Sequence, residues 1–195
     1  YKNMGLTITE IMMLKSVYSI VIVALEIPSG YFADVIGRKK TLVAGAFMGA
    51  LGFVIYSFSG SYAGFIVAEI SLGAGQSFIS GADSAMLYDT LMSGRREKEY
   101  TRFEGINASV GNFSEAFSGI AGGAIALISL RFPFYAQAII ASTAIPAALT
   151  LAEPKEIYEK RKTGLKDIFN ILNTIIIKER NLRFNLLFSS IIGAA

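Results

Sequence analysis

Five ionisable side chains, Lys15, Glu26, Glu69, Asp83 and Glu115, stand inside long apolar runs. At the centre of a bilayer helix each costs roughly 2.5–3.5 kcal/mol, and somewhat less near an end. Together they cost on the order of ten kcal/mol, so they should face a bundle interior or water, not lipid. Glu69, Gly73, Gln76, Ser80 and Asp83 stand at i, i+4, i+7, i+11 and i+14, which is one face of a helix. Such a stripe suits the wall of a water-filled cavity; it also suits interhelical hydrogen bonding with small-residue packing. Lys15 and Glu26 share a face but lie roughly 16 Å apart along the axis, too far to pair directly. Lys15 either snorkels outward or meets a substrate. Glu26 precedes Pro28, which frees a carbonyl and permits a kink, and it serves as a protonation site or as partner to another helix's donor. Glu115 lies among Gly111, Ser118, Gly119, Gly122 and Gly123, small residues that let another helix approach closely. With Asn112, the four carboxylates and Gln76 form the candidate substrate or proton pathway.

The elements that must hold these residues are membrane spans. Of the 195 residues 53% are hydrophobic and only 17% charged, against about a quarter charged in soluble domains. The apolar residues come in blocks of about 20, the length of a bilayer-crossing helix. Five full spans are expected, at 11–32, 41–58, 62–91, 106–130 and 132–151, with a sixth beginning near Phe184. The chain has no cysteine and no histidine, which removes disulfide, thiolate and imidazole chemistry and argues against a zinc or haem site. No metal or cofactor is expected. The opening Tyr1-Lys2-Asn3 runs straight into a span with no signal-peptide n-region. The expectation is a fragment of a longer polytopic chain.

Charge sorts the connections into two sets. Segments 34–41, 93–105 and 152–183 hold 15 of the 18 Lys and Arg, while the tail 1–9 and the turns at 60–62 and 129–133 hold Lys2 and Arg131. The net charge of +3 therefore reflects membrane orientation and gives no reason to expect nucleic acid. By the positive-inside rule the basic segments are cytoplasmic, and the first span runs from outside to inside. Within 152–183, Leu165, Ile168, Phe169, Leu172, Ile175 and Ile176 recur at helical spacing with polar residues between them. That predicts an amphipathic helix, lying either on the membrane surface or against the bundle's cytoplasmic face.

The first basic connection, Gly30-Tyr31-Phe32-Ala33-Asp34-Val35-Ile36-Gly37-Arg38-Lys39-Lys40, resembles the signature loop of the major facilitator superfamily, G-x-x-x-D-x-x-G-R-K/R-x. In that family the loop is cytoplasmic and follows the second helix. The resemblance implies an all-α polytopic transmembrane helix bundle, the N-terminal half of the family's fold lacking its first helix. Residues 1–151 would form the bundle of helices two to six, 152–183 the central cytoplasmic loop, and 184–195 the start of helix seven in the C-terminal half. The spans without charge, 41–58 and 132–151, would be the peripheral pair.

Gly30, Asp34, Gly37, Arg38, Lys39 and Asp89 are the candidate gating residues. Asp34 would cap the next turn or meet a helix N-terminus, and Gly37 supplies permissive backbone. By resemblance Arg38 reaches an acid at the end of the fourth helix, where Asp89 stands, as a latch; the alternative is a static topology anchor. Ser118-Gly119-Ile120-Ala121-Gly122-Gly123 looks like a degraded G-P-x-x-G-G element of the superfamily's antiporters. Glu69 occupies the place of an arginine in many drug–proton antiporters, so that arginine's role does not carry over. The resulting expectation is a secondary transporter in the plasma membrane, not an enzyme, moving a small organic solute or drug with protons, efflux ahead of uptake. Its partners would be substrate, protons, the lipid bilayer and the C-terminal half. The alternative of another class is a non-transporting sensor or scaffold with the same fold.

Overall fold

A computed structural model describes residues 6–154. They form α1 (Ile8–Ile36), α2 (Arg38–Phe58), α3 (Tyr62–Ser80), α4 (Asp83–Ser93), a 3-10 turn (Glu97–Glu99), α5 (Tyr100–Ala126) and α6 (Phe132–Thr150), and no strand occurs among the described residues. The architecture is an all-α bundle with several helices of membrane length. The expected helix within 152–183 and the expected onset of a span at 184 lie outside the described residues, apart from positions 152–154.

Local sequence explains where the helices start and stop. Thr7 and Glu10 form a capping box at the head of α1, with the Thr7 N–H donating to Glu10 Oε2 at 2.7 Å and the Glu10 N–H to Thr7 Oγ1 at 3.2 Å. Ser61 Oγ accepts from the Gly64 N–H at 3.2 Å and caps α3. Pro133 sits in the first turn of α6, where its missing N–H costs nothing. Between α1 and α2 there is only Gly37, whose φ of +112° is a conformation that residues with a Cβ rarely adopt. One glycine thus lets two membrane-length helices reverse direction.

Small residues set the packing. A Cβ on Gly75 of α3 would lie 2.7 Å from the Gly49 nitrogen of α2 and 2.9 Å from the Gly45 oxygen. On the other flank, a Cβ on Gly73 would lie 2.9 Å from the Tyr18 oxygen of α1. These contacts bring backbones together, which is how apolar helices associate where lipid gives no hydrophobic drive. Ser71 Oγ donates across the α2–α3 contact to the Met48 carbonyl at 2.8 Å. Leu14, Tyr56, Phe65 and Ala68 make a buried cluster from three helices, and the Tyr56 ring stacks on Phe134 of α6, with centroids 5.4 Å apart and planes 5° from parallel.

Two features depart from the sequence reading, the break in the third span and the extent of the fourth. The span 62–91 is two helices, broken at Gly81 and Ala82, where Gly81 abuts Ser29 and Gly30 of α1 and a Cβ would lie 2.7 Å from Ser29 Oγ. The uncharged span 41–58 is found as α2, which packs against α3 and α6. The span 106–130 is found as α5, which starts at Tyr100 and ends at Ala126. Its polar and glycine residues keep it outside the four stretches long and apolar enough to cross a membrane: Ile8–Ile36, Arg38–Phe58, Tyr62–Ser93 and Phe132–Thr150.

Candidate functional site

Glu69 is the centre of the site. It is fully buried, and its Oε1 accepts from Lys15 Nζ at 2.8 Å and from the Tyr56 hydroxyl at 2.5 Å. Its Oε2 is buried too and has no hydrogen-bond partner. Three helices supply the group: Lys15 lies two turns into α1, Glu69 two turns into α3, and Tyr56 in the last turn of α2. All three fall at the end of the bundle opposite the basic connections, about 10 Å or less from the helix ends at 1.5 Å per residue. Lys15 neither snorkels away nor waits unpaired; its ammonium turns inward to Glu69, and it stands 5.7 Å from the centroid of the Tyr18 ring. A cavity of about 420 Å³ opens beside the pair, with Lys15, Tyr18, Phe53, Glu69 and Gln76 in its wall.

The rest of the stripe divides. Gly73 is buried against α1, whereas Gln76 and Ser80 are exposed. Asp83 heads α4, past the break, where its Oδ1 accepts the Ser84 N–H at 2.6 Å. The break means that the stripe is not one continuous helical face. Glu26 is exposed, and α1 continues through Pro28; Ser29 Oγ donates to the Glu26 carbonyl at 2.8 Å and accepts from Ser77 Oγ at 3.1 Å. Asn112 and Glu115 are exposed on α5 and are not brought to the Glu69 group.

At the opposite, basic end the signature loop makes a second charged cluster. Arg38 Nη2 lies 2.9 Å from Asp34 Oδ1 one turn earlier, and its Nε donates to Asp89 Oδ2 of α4 at 3.2 Å. The expected Arg38–Asp89 contact is therefore formed. Asp34 does not cap α2. That place is taken by Glu153, beyond the end of α6, whose two oxygens accept the Arg38 N–H at 2.7 Å and the Lys39 N–H at 3.1 Å. A carboxylate at a helix N-terminus meets unsatisfied N–H groups and the positive end of the dipole. Gly37 is needed there for its φ of +112°, and a Cβ would lie 3.0 Å from Glu153 Oε1. Gly30 has open space where a Cβ would go.

Sequence reasoning missed Tyr56, Glu153 and Glu104. Tyr56 lay in a span set aside for having no charge. Glu153, an acid directly after an apolar run and before a proline, was a legible helix-end signal. Glu104 accepts from Ser84 Oγ at 3.0 Å and keeps its other oxygen buried and unbonded; nothing in its charged surroundings marked it out.

The charged loop on a bundle of apolar helices is matched across its whole length by a known family, with the Major Facilitator Superfamily aligning over residues 1–195. The chain belongs to the Major Facilitator Superfamily. Two curated relatives, the methyl viologen resistance proteins SmvA of Salmonella typhimurium strains 14028s and LT2, are each 25% identical over 165 residues. The match covers 85% of this chain and 32% of theirs, so the chain spans about a third of the length of the curated relatives it matches. No solved structure matches. Family membership and the four apolar helices make this a multi-pass membrane protein.

Proposed function

We propose that the protein is a secondary active transporter of the plasma membrane that moves a small organic solute outward, in exchange for protons, by alternating access. The observation that carries this reading is Glu69. A carboxylate fully enclosed in a membrane bundle, with one oxygen bonded to a lysine and a tyrosine and the other unbonded at a cavity wall, is costly unless its charge is used. Intramembrane carboxylates of this kind mark proton and substrate routes. In this reading Glu69 exchanges a proton for substrate, while Glu26, Asp83, Asn112 and Glu115 serve the route on other helices. The Arg38 cluster latches the basic end in one state and releases it in the other, and the two halves of the fold rock about the site. The SmvA relatives are named for methyl viologen resistance, which supports outward movement over uptake. The reading includes no catalytic step, since the superfamily is generally non-enzymatic.

A sensor or scaffold that keeps the fold is the second reading. It is favoured by the burial of Gly73 and Ser77 against α1, which is packing and not cavity wall. The test is transport by the protein at its full natural length in proteoliposomes, with an imposed pH gradient and methyl viologen as probe. The transport reading expects gradient-driven movement in the wild type that Glu69→Gln abolishes. Movement that Glu69→Gln, Asp83→Asn and Glu115→Gln all leave dependent on the gradient would remove these carboxylates from proton coupling. No movement at all would favour the scaffold.

A further inference from the structure

We propose that Lys15 is a tethered competitor: its ammonium occupies, from within the chain, the position that an organic cation takes on Glu69. The inference rests on the reading of Glu69 as a ligand site and names the chemical class of that ligand.

The two partners of the pair are placed very differently. Glu69 is fully buried and fixed in the α3 backbone, between α1 and α2. The Lys15 side chain is 57% exposed and sits on a four-carbon stem, so its charge can leave without dragging the helix. When it leaves, Tyr56 still holds Oε1, while the carboxylate has lost its counter-ion and Oε2 has no hydrogen-bond partner. A buried carboxylate that loses its counter-ion is strongly unfavourable, and another cation restores the balance.

The surroundings decide the sign and the type of the ligand. Among the residues lining the cavity, Lys15 and Glu69 carry the charge, and Tyr18 and Phe53 supply aromatic faces. The ammonium already lies within cation–π distance of the Tyr18 ring, at 5.7 Å. An aromatic face beside a buried carboxylate is the chemistry that recognises an ammonium or a delocalised organic cation. An anion drawn to Lys15 would instead come against the carboxylate 2.8 Å away and be repelled. The cavity of about 420 Å³ has room for a small organic molecule. With Lys15 in place the carboxylate has its counter-ion; with Lys15 withdrawn another cation can take that place.

The test is binding, independent of transport, in the protein at its full natural length in nanodiscs, with labelled tetraphenylphosphonium as cation and salicylate as anion. Lys15→Gln removes the competitor and is expected to raise tetraphenylphosphonium affinity about tenfold. Glu69→Gln is expected to lower it at least tenfold, and Lys15→Arg, which keeps the competitor, to leave it at or below wild type. Salicylate should gain nothing from any of them. Should Lys15→Gln not fold, the comparison of Lys15→Arg with wild type carries the same test, and an affinity raised by the arginine would refute the proposal. It is also overturned by Lys15→Gln binding the cation no better than wild type, by no binding to either, or by salicylate binding that Lys15→Gln abolishes. Cation binding that follows this pattern in a protein that moves nothing would sink the transport reading and leave the competitor standing; gradient-driven transport without the pattern would do the reverse.

Discussion

Tyr56 and Glu69 face each other across the α2–α3 turn, 13 positions apart, and share a hydrogen bond of 2.5 Å. The tyrosine does two jobs at once: its ring stacks on Phe134 and its hydroxyl holds the buried carboxylate. The two can be separated. Tyr56→Phe keeps the ring and removes a hydrogen bond to a charged group, worth about 1.5–3 kcal/mol. Thermal unfolding of the purified protein should therefore show a lower midpoint for Tyr56→Phe. An unchanged midpoint would mean that the hydroxyl is not holding Glu69. At this scale the sequence revealed which residues were expensive but not whom they met. Lys15 and Glu69 stand 54 positions apart, and nothing in either span's own pattern sets the register between two helices. The sequence therefore offers Lys15 only Glu26, on its own helix and too far to pair directly, and leaves snorkelling or a substrate role open. The Arg38–Asp89 contact was legible because the family resemblance gave Arg38 an acid at the end of the fourth helix; Glu153 was legible as a helix-end residue but not as the cap of α2, 115 positions away.

The helices themselves were easier to read than their contacts. Hydropathy places five spans because bilayer thickness fixes their length, and each of the five appears as helix, the third in two pieces. The break at Gly81 was hidden because it follows from α1 lying against that glycine, a tertiary cause. The glycines yield a prediction at this scale. A methyl on Gly75 would meet the α2 backbone at 2.7 Å, whereas one on Gly49 would meet nothing within 4 Å. Gly75→Ala should push α2 and α3 apart and destabilise the fold by about 1–3 kcal/mol, the usual cost of overpacking, or more because the neighbour is backbone. Gly49→Ala should be neutral or stabilise slightly, since alanine is the better helix former by about 1 kcal/mol. Thermal unfolding of the two variants side by side checks this, and equal behaviour would argue against the tight α2–α3 contact.

Across the molecule, the ion pairs among the described residues form at two levels, and Glu26 lies between them on α1. The Lys15–Glu69 pair lies at one end of α1 and α3, and the Asp34–Arg38–Asp89 cluster with Glu153 lies at the other. The proposed transport reading puts a site between these two levels that opens to each side in turn. The direct test lies between them, at Gln76, which is exposed on α3 beside the cavity. The 195 residues contain no cysteine, so a single Gln76→Cys can be probed with membrane-impermeant thiol reagents, once the rest of the natural chain is cleared of cysteines. Alternating access requires labelling from both sides of the membrane, shifted by a pH gradient. Labelling from neither side, in a folded protein whose surface control reacts, would show α3 sealed in packing and contradict the account at its centre.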